Sequence, residues 1–113
     1  MAEFMFVFRG RNRSLSPDQM QRSMERWLAW FGELREAKLL KDGGHPLQDA
    51  RTVISGPQRI INDGPFVEAK DLVNGYVIVE ADDLKAAVEL AKGCPTLDAG
   101  GSVEVRPTAT FAP

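Results

Sequence analysis

A chain of 113 residues with 43% hydrophobic and 27% charged side chains is long enough for one core and too short for two domains, and its composition is that of an ordered globular domain. The formal net charge of −2 and the brevity of the basic cluster Arg9-Gly10-Arg11-Asn12-Arg13 argue against nucleic acid as a partner. No apolar run approaches the roughly 20 residues that span a bilayer and the N-terminus has no leader-like pattern, so a cytoplasmic protein without membrane partners is expected.

In chain order, Phe4-Met5-Phe6-Val7-Phe8 is an apolar, aromatic run ending at Arg9-Gly10, which predicts a buried first strand. Ser16-Pro17-Asp18-Gln19 supplies an N-cap, a proline at the first helical position, an acid in the first turn and a capping-box glutamine. In the helix that follows, Met20, Met24, Trp27, Leu28, Phe31 and Leu34 recur at spacings of three and four and are expected to form the core stripe, with Trp30 at its edge. Gly32 inside that helix suggests a close backbone contact. Leu39-Leu40 leads into a Gly43-Gly44-His45-Pro46 loop. Thr52 to Ser55 and Arg59 to Asn62 flank Gly56-Pro57-Gln58 as a β-hairpin. Gly75 to Glu80 reads as a long strand, and Asp82 is expected to cap a second helix with Leu84, Ala87, Val88 and Ala91 on one face. Gly93-Cys94-Pro95 should stop that helix, Thr96 to Gly101 should be loop, and Val103-Glu104-Val105-Arg106 alternates as a half-buried strand does.

This order is that of an α+β, ferredoxin-like domain over residues 1–113, an antiparallel sheet with two helices on one face and an inserted hairpin. Two helices cover only one face of such a sheet, so the other must be solvated or paired.

The hairpin delivers the chain to Asn62-Asp63-Gly64-Pro65-Phe66-Val67-Glu68-Ala69-Lys70. Asp63-Gly64-Pro65 has the chemistry of a tight turn, and Phe66 is expected to plug into the core and anchor the loop. The Asp-Gly-Pro-Phe signature, with Glu68, Lys70, Asn74-Gly75-Tyr76, Cys94-Pro95 and Val103 to Pro107, resembles the DGPF-motif branch of the YCII-related family. The resemblance implies a homodimer of the dimeric α/β-barrel type with a pocket in each subunit, and leaves the activity unassigned. The motif departs from the family pattern at Val67, Ala69 and Asp71, where relatives carry Ala, Thr and Glu. Relatives also carry histidines where this chain has Ser23 or Met24 and Asp98-Ala99, which weakens any histidine-based mechanism carried over from them.

Asp63, Glu68 and Lys70 are the leading candidates for a ligand site, because a carboxylate near an ammonium can be tuned as a base or an anchor. The plainer reading is a turn cap plus an exposed ion pair. His45, the one imidazole of the chain, is the easiest general acid or base but sits alone in a loop, where histidines are more often structural. Tyr76 can present a phenol at a strand end, or simply pack. Trp30 is read as a pocket wall or dimer contact, Trp27 as core. With one cysteine and one histidine the chain lacks an intrachain disulfide and a zinc ligand set, so no metal and no cofactor is expected, and Cys94 is taken as inert. Two functions follow. One is a small dimeric domain that binds, and in an enzyme would transform, a small polar metabolite beside the motif loop. The other is a non-catalytic regulatory or interaction domain linked to an alternative sigma factor, as genes of the family suggest.

Overall fold

The computed structural model describes residues 1–10, 15–64 and 69–109. The predicted basic cluster therefore lies largely outside the described residues, as do Phe66 and Glu68. The elements are β1 (Ala2–Arg9), α1 (Pro17–Glu36), β2 (Leu40–Asp42), β3 (Val53–Ser55), β4 (Ile60–Asn62), a 3-10 turn (Ala69–Asp71), β5 (Val73–Ala81), α2 (Leu84–Ala91), α3 (Pro95–Asp98) and β6 (Ser102–Pro107). Four strands form an antiparallel sheet in the order β2-β5-β1-β6, and β3 pairs with β4 as a separate ribbon. With the ribbon set aside, this is the strand order of the ferredoxin-like fold.

The first strand is not buried on both sides. Phe4, Phe6 and Phe8 face the helices and are buried, whereas Met5 and Val7 face outward and are half-buried. The same alternation runs along β5, where Val77, Val79 and Ala81 point inward and Tyr76, Ile78 and Glu80 outward. Register sets Phe6 opposite Val77 and Val105, so the inward residues of three strands form one apolar sheet face. The outward face has an apolar centre of Met5, Val7, Tyr76 and Ile78. Charge lies at its margins, with Arg9 paired to Glu104 at 2.9 Å and Lys41 near Glu80 at 3.7 Å.

Helix α1 begins as its sequence dictates, with the Ser16 hydroxyl accepting from Gln19 N and the Gln19 side chain accepting from Ser16 N. Its core stripe is rotated from the expected one. Trp30 and Leu34 are buried and Trp27 and Phe31 half-buried, while Met20, Met24 and Leu28 are 56–62% exposed. Trp30 thus occupies the centre of the core rather than its edge. Its ring stacks on Phe6 at 6.2 Å between centroids and meets Phe8 edge-on at 6.1 Å, while its Nε1 donates to the Leu90 carbonyl at 3.3 Å. Gly93 makes room for it: a Cβ there would come within 3.2 Å of the Trp30 ring. Gly32, by contrast, meets no heavy atom within 4 Å of a built Cβ among the described residues, so the expected close contact does not exist.

The cap of α2 is Asp83 rather than Asp82, because the carboxylate three residues before Ala86 is the one that reaches its amide, at 2.8 Å. Ala87 and Ala91 are buried, but Leu84 and Val88 of the expected face are exposed. Pro95 does not merely stop α2. It occupies the first turn of the short helix α3, where its missing N–H costs nothing, and so places Cys94 at a helix start rather than a helix end. Replacing Asp83 with Ala is expected to lower stability by about 1 kcal/mol and Asp82 with Ala by under about 0.5 kcal/mol, as thermal denaturation of the two variants will show.

Candidate functional site

The loop between β2 and β3 does not hang free, because four backbone features pin it to the start of β5. The Asp42 carboxylate accepts from Gly44 N at 2.8 Å and turns the chain. Gly44 adopts φ +63°, and a Cβ there would overlap the Tyr76 carbonyl at 1.7 Å. Pro46 then bridges to Gly75, and Leu47 N donates to the Asn74 carbonyl at 2.7 Å. Gly75 must be small because a Cβ would sit 2.9 Å from the His45 carbonyl. Beyond Leu47 the chain peels away from β5 and opens a cleft of about 430 Å³.

One wall of the cleft is Leu47, Gln48, Asp49, Ala50 and Arg51, and the other is Asp71, Leu72 and Val73. The second wall is buttressed from β1, since Gly10 N donates to the Leu72 carbonyl at 3.0 Å and Arg9 Nη1 to the Asp71 carbonyl at 3.1 Å. The lining residues thus include two acids, a guanidinium and an amide beside Leu47, Leu72 and Val73, and the surface they present to the cleft is mostly apolar. Such a volume and lining suit a small, largely apolar ligand with a few polar groups. A second groove of about 340 Å³, between α2, α3 and β6, is lined by Val88, Ala91, Leu97, Val103 and Val105 with Lys92 as its only polar side chain, and offers little to orient a ligand.

The expected site residues are distributed around this cleft rather than in it. Asp63 is exposed at the end of β4, and its neighbour Gly64, at φ +83°, packs on Arg51, whose carbonyl would lie 3.3 Å from a Cβ there. Lys70 is exposed, with its backbone against Gly10, and precedes Asp71 of the cleft wall. The two described ends of the Asp63 to Lys70 stretch thus border the cleft through Arg51 and Asp71. His45 is exposed and contributes its carbonyl to loop packing; Tyr76 is half-buried on the outward sheet face, beside Gly44. Trp30 belongs to the core and not to a pocket wall, because the packing that fills both sides of its ring leaves it 5% exposed.

Gln48, Asp49, Arg51 and Asp71 were not singled out by sequence reasoning. The signal present was a polar run, Gln-Asp-Ala-Arg, between a pinned loop and a hairpin, together with an acid directly after the motif. Asn74, beside Val73, holds a buried side-chain oxygen with no hydrogen-bond partner among the described residues. Cys94 is buried, and that burial pushes its thiol up from the ordinary range against hydrogen bonding with Thr96, which lowers it. The thiol stays protonated at neutral pH and is a poor nucleophile. No helix among the described residues is long and apolar enough to cross a membrane.

A solved structure of 5-chloro-2-hydroxyhydroquinone dehydrochlorinase (TftG) from Burkholderia phenoliruptrix AC1100, in complex with 2,5-dihydroxybenzoquinone, superposes with a TM-score of 0.56 over 96% of this chain and 95% of that one, at 17% identity. At that identity the likeness shows the fold alone. An uncharacterised protein of Rhizobium meliloti (strain 1021) is 33% identical over 60 residues, which are 52% of this chain and 48% of that protein, so the match spans about half the length of the curated relative. The profile of the YCII-related domain matches residues 2–112, nearly the whole chain. This protein belongs to the YCII-related domain family.

Proposed function

We propose that this protein is a homodimer of the DGPF branch that binds a small polar metabolite in the cleft between Leu47–Arg51 and Asp71–Val73. The observation that carries the reading is a cleft of about 430 Å³ with a mostly apolar lining, to whose walls Gln48, Asp49, Arg51 and Asp71 belong. The Asp63-Gly64-Pro65-Phe66 signature supports the branch, and the approach of Gly64 to Arg51 supports a role for the motif in setting that wall. The ligand of the fold neighbour, 2,5-dihydroxybenzoquinone, is a small ring with several oxygens, a size and polarity this cleft would suit. Asp63 and Lys70 contribute at the cleft's border, His45 and Tyr76 help hold the loop before it, and Glu68 is the further candidate from the motif.

A thermal-shift screen of the intact protein against small hydroxylated, carboxylated and amino metabolites tests this, because a ligand that binds only the folded state raises the melting point by mass action. For any metabolite that does so, Arg51→Met is expected to weaken binding at least tenfold, about 1.4 kcal/mol, whereas His45→Gln leaves it unchanged, as titration calorimetry will measure. A melting point that no such metabolite moves would remove the reading. The second reading, a non-catalytic interaction domain linked to an alternative sigma factor, is favoured by the exposed Met20, Met24 and Leu28 along α1. It predicts a silent metabolite screen and a binding loss on Met24→Ser in a sigma-factor pull-down.

A further inference from the structure

The β3–β4 ribbon is built to be covered. Every residue from Ile54 to Asp63 is exposed, and the two three-residue strands pair only with each other. A lone two-stranded ribbon is marginal in water, and this one displays rather than hides its isoleucines. Register places Ile54 directly opposite Ile61, so the two side chains share one face and are 63% and 64% exposed. The opposite face carries Val53, the half-buried residue of the ribbon, together with Ile60, which is 55% exposed.

We propose that the Ile54/Ile61 face of this arm docks on a second copy of the chain, as an extension of the outward sheet face, and that this docking steadies the adjoining cleft wall. The proposal rests on the homodimer reading above and adds the arm to it. Shape allows the two surfaces to be continuous: the molecule is a slab of 48 × 46 × 19 Å, so an arm that leaves the body runs alongside its layers rather than above them. Area makes the arm necessary. Four strands about 4.8 Å apart and about 26 Å long offer at most about 500 Å² per copy. Two such faces come to about 1,000 Å², short of the roughly 1,200–2,000 Å² of stable interfaces. Each arm, about 10 Å by 10 Å, covers its own area and an equal area of the partner, which adds about 400 Å² over the pair and brings the interface into that range. The outward face supplies the matching apolar surface in Met5, Val7, Tyr76 and Ile78. The site is coupled to this because Leu47 to Arg51 runs straight into Val53, so docking the arm adds an anchor next to the wall that Gly64 already touches at Arg51.

Two measurements on the full chain test it. In sedimentation equilibrium the wild type is expected to dimerise, and the Ile54→Ser/Ile61→Ser variant to dissociate at least tenfold more readily with an unchanged near-ultraviolet spectrum from Trp27 and Trp30. In hydrogen exchange on the wild type, protection of residues 47–62 is expected to rise with protein concentration through the dimerisation range. A dimer whose constant the two substitutions leave unaltered, with exchange of 47–62 independent of concentration, would overturn the arm's role and leave the homodimer standing. A wild type that stays monomeric at micromolar concentration would remove both.

Discussion

Replacing Trp30 with alanine is expected to lower the unfolding free energy by about 3–5 kcal/mol, the range for losing a fully buried large aromatic. At roughly 4 °C per kcal/mol for a domain of this size, the melting point should fall by roughly 12–20 °C. The size of the loss follows from what the ring touches. Its neighbours Phe6, Phe8, Trp27 and Phe31 all lie within 6.2 Å centroid to centroid, and together these rings tie the first helix to the first strand. The Leu90 carbonyl would also lose the indole donor while keeping its backbone ones, and the niche left open by Gly93 would become a void that backbone cannot fill. Leu28→Ala, on the 62% exposed side of the same helix, should cost under about 1 kcal/mol. Urea denaturation of both variants makes the comparison. Equal losses at the two positions would mean that the core stripe is not the one described.

That stripe shows where sequence reasoning succeeds and where it stops. The start of α1 was legible to the residue, because capping is local: Ser16, Pro17 and Gln19 act on amides within one turn. The hairpin and the long strand β5 were legible for the same reason, through glycine, proline and alternation. The facing of α1 was not. Two adjacent apolar ridges run along it, Met20-Met24-Leu28 and Trp27-Trp30-Leu34, and the hydrophobic effect has no direction by which to choose between them. What decides is the niche at Gly93, 63 positions beyond Trp30 in the chain. Asp82 and Asp83 were likewise equivalent as letters, and only the geometry of the first turn selects one. The strand of five apolar residues read as doubly buried because its outward members are apolar too, which on the dimer reading reflects a second copy rather than a second layer of its own.

The candidate cleft was legible only by its neighbourhood. The motif stretch lies next to it, since its described ends, Gly64 and Lys70, adjoin Arg51 and Asp71 of the walls. Gln48, Asp49 and Arg51 carry no periodicity and no motif of their own, so nothing local marks them. They become a site only because the loop before them is fastened to β5, an event between residues about 30 positions apart in the chain.

That fastening makes Gly44→Ala the second large expected effect, with Gly43→Ala as its measure. At Gly44 the backbone has φ +63°, where an alanine is strained, and the new Cβ would coincide with the Tyr76 carbonyl at 1.7 Å, so β5 and the loop cannot both keep their places. Strain and overpacking of this kind each cost about 1–3 kcal/mol, so a loss of about 2–5 kcal/mol is expected. At Gly43 a Cβ meets no heavy atom within 4 Å among the described residues and φ is not positive, so alanine should change stability by under about 0.5 kcal/mol. The loop can also yield instead of the fold, trading the Leu47 to Asn74 hydrogen bond for space. In that case the stability loss sits at the low end, the Leu47 amide exchanges faster than in the wild type, and ligand affinity falls because the Leu47 to Arg51 wall has moved. Equilibrium denaturation and site-resolved hydrogen exchange on the two variants separate these outcomes. Alanine tolerated equally at both positions, with Leu47 still protected, would show that Gly44 does not hold the loop, and the cleft would lose the constraint that shapes it.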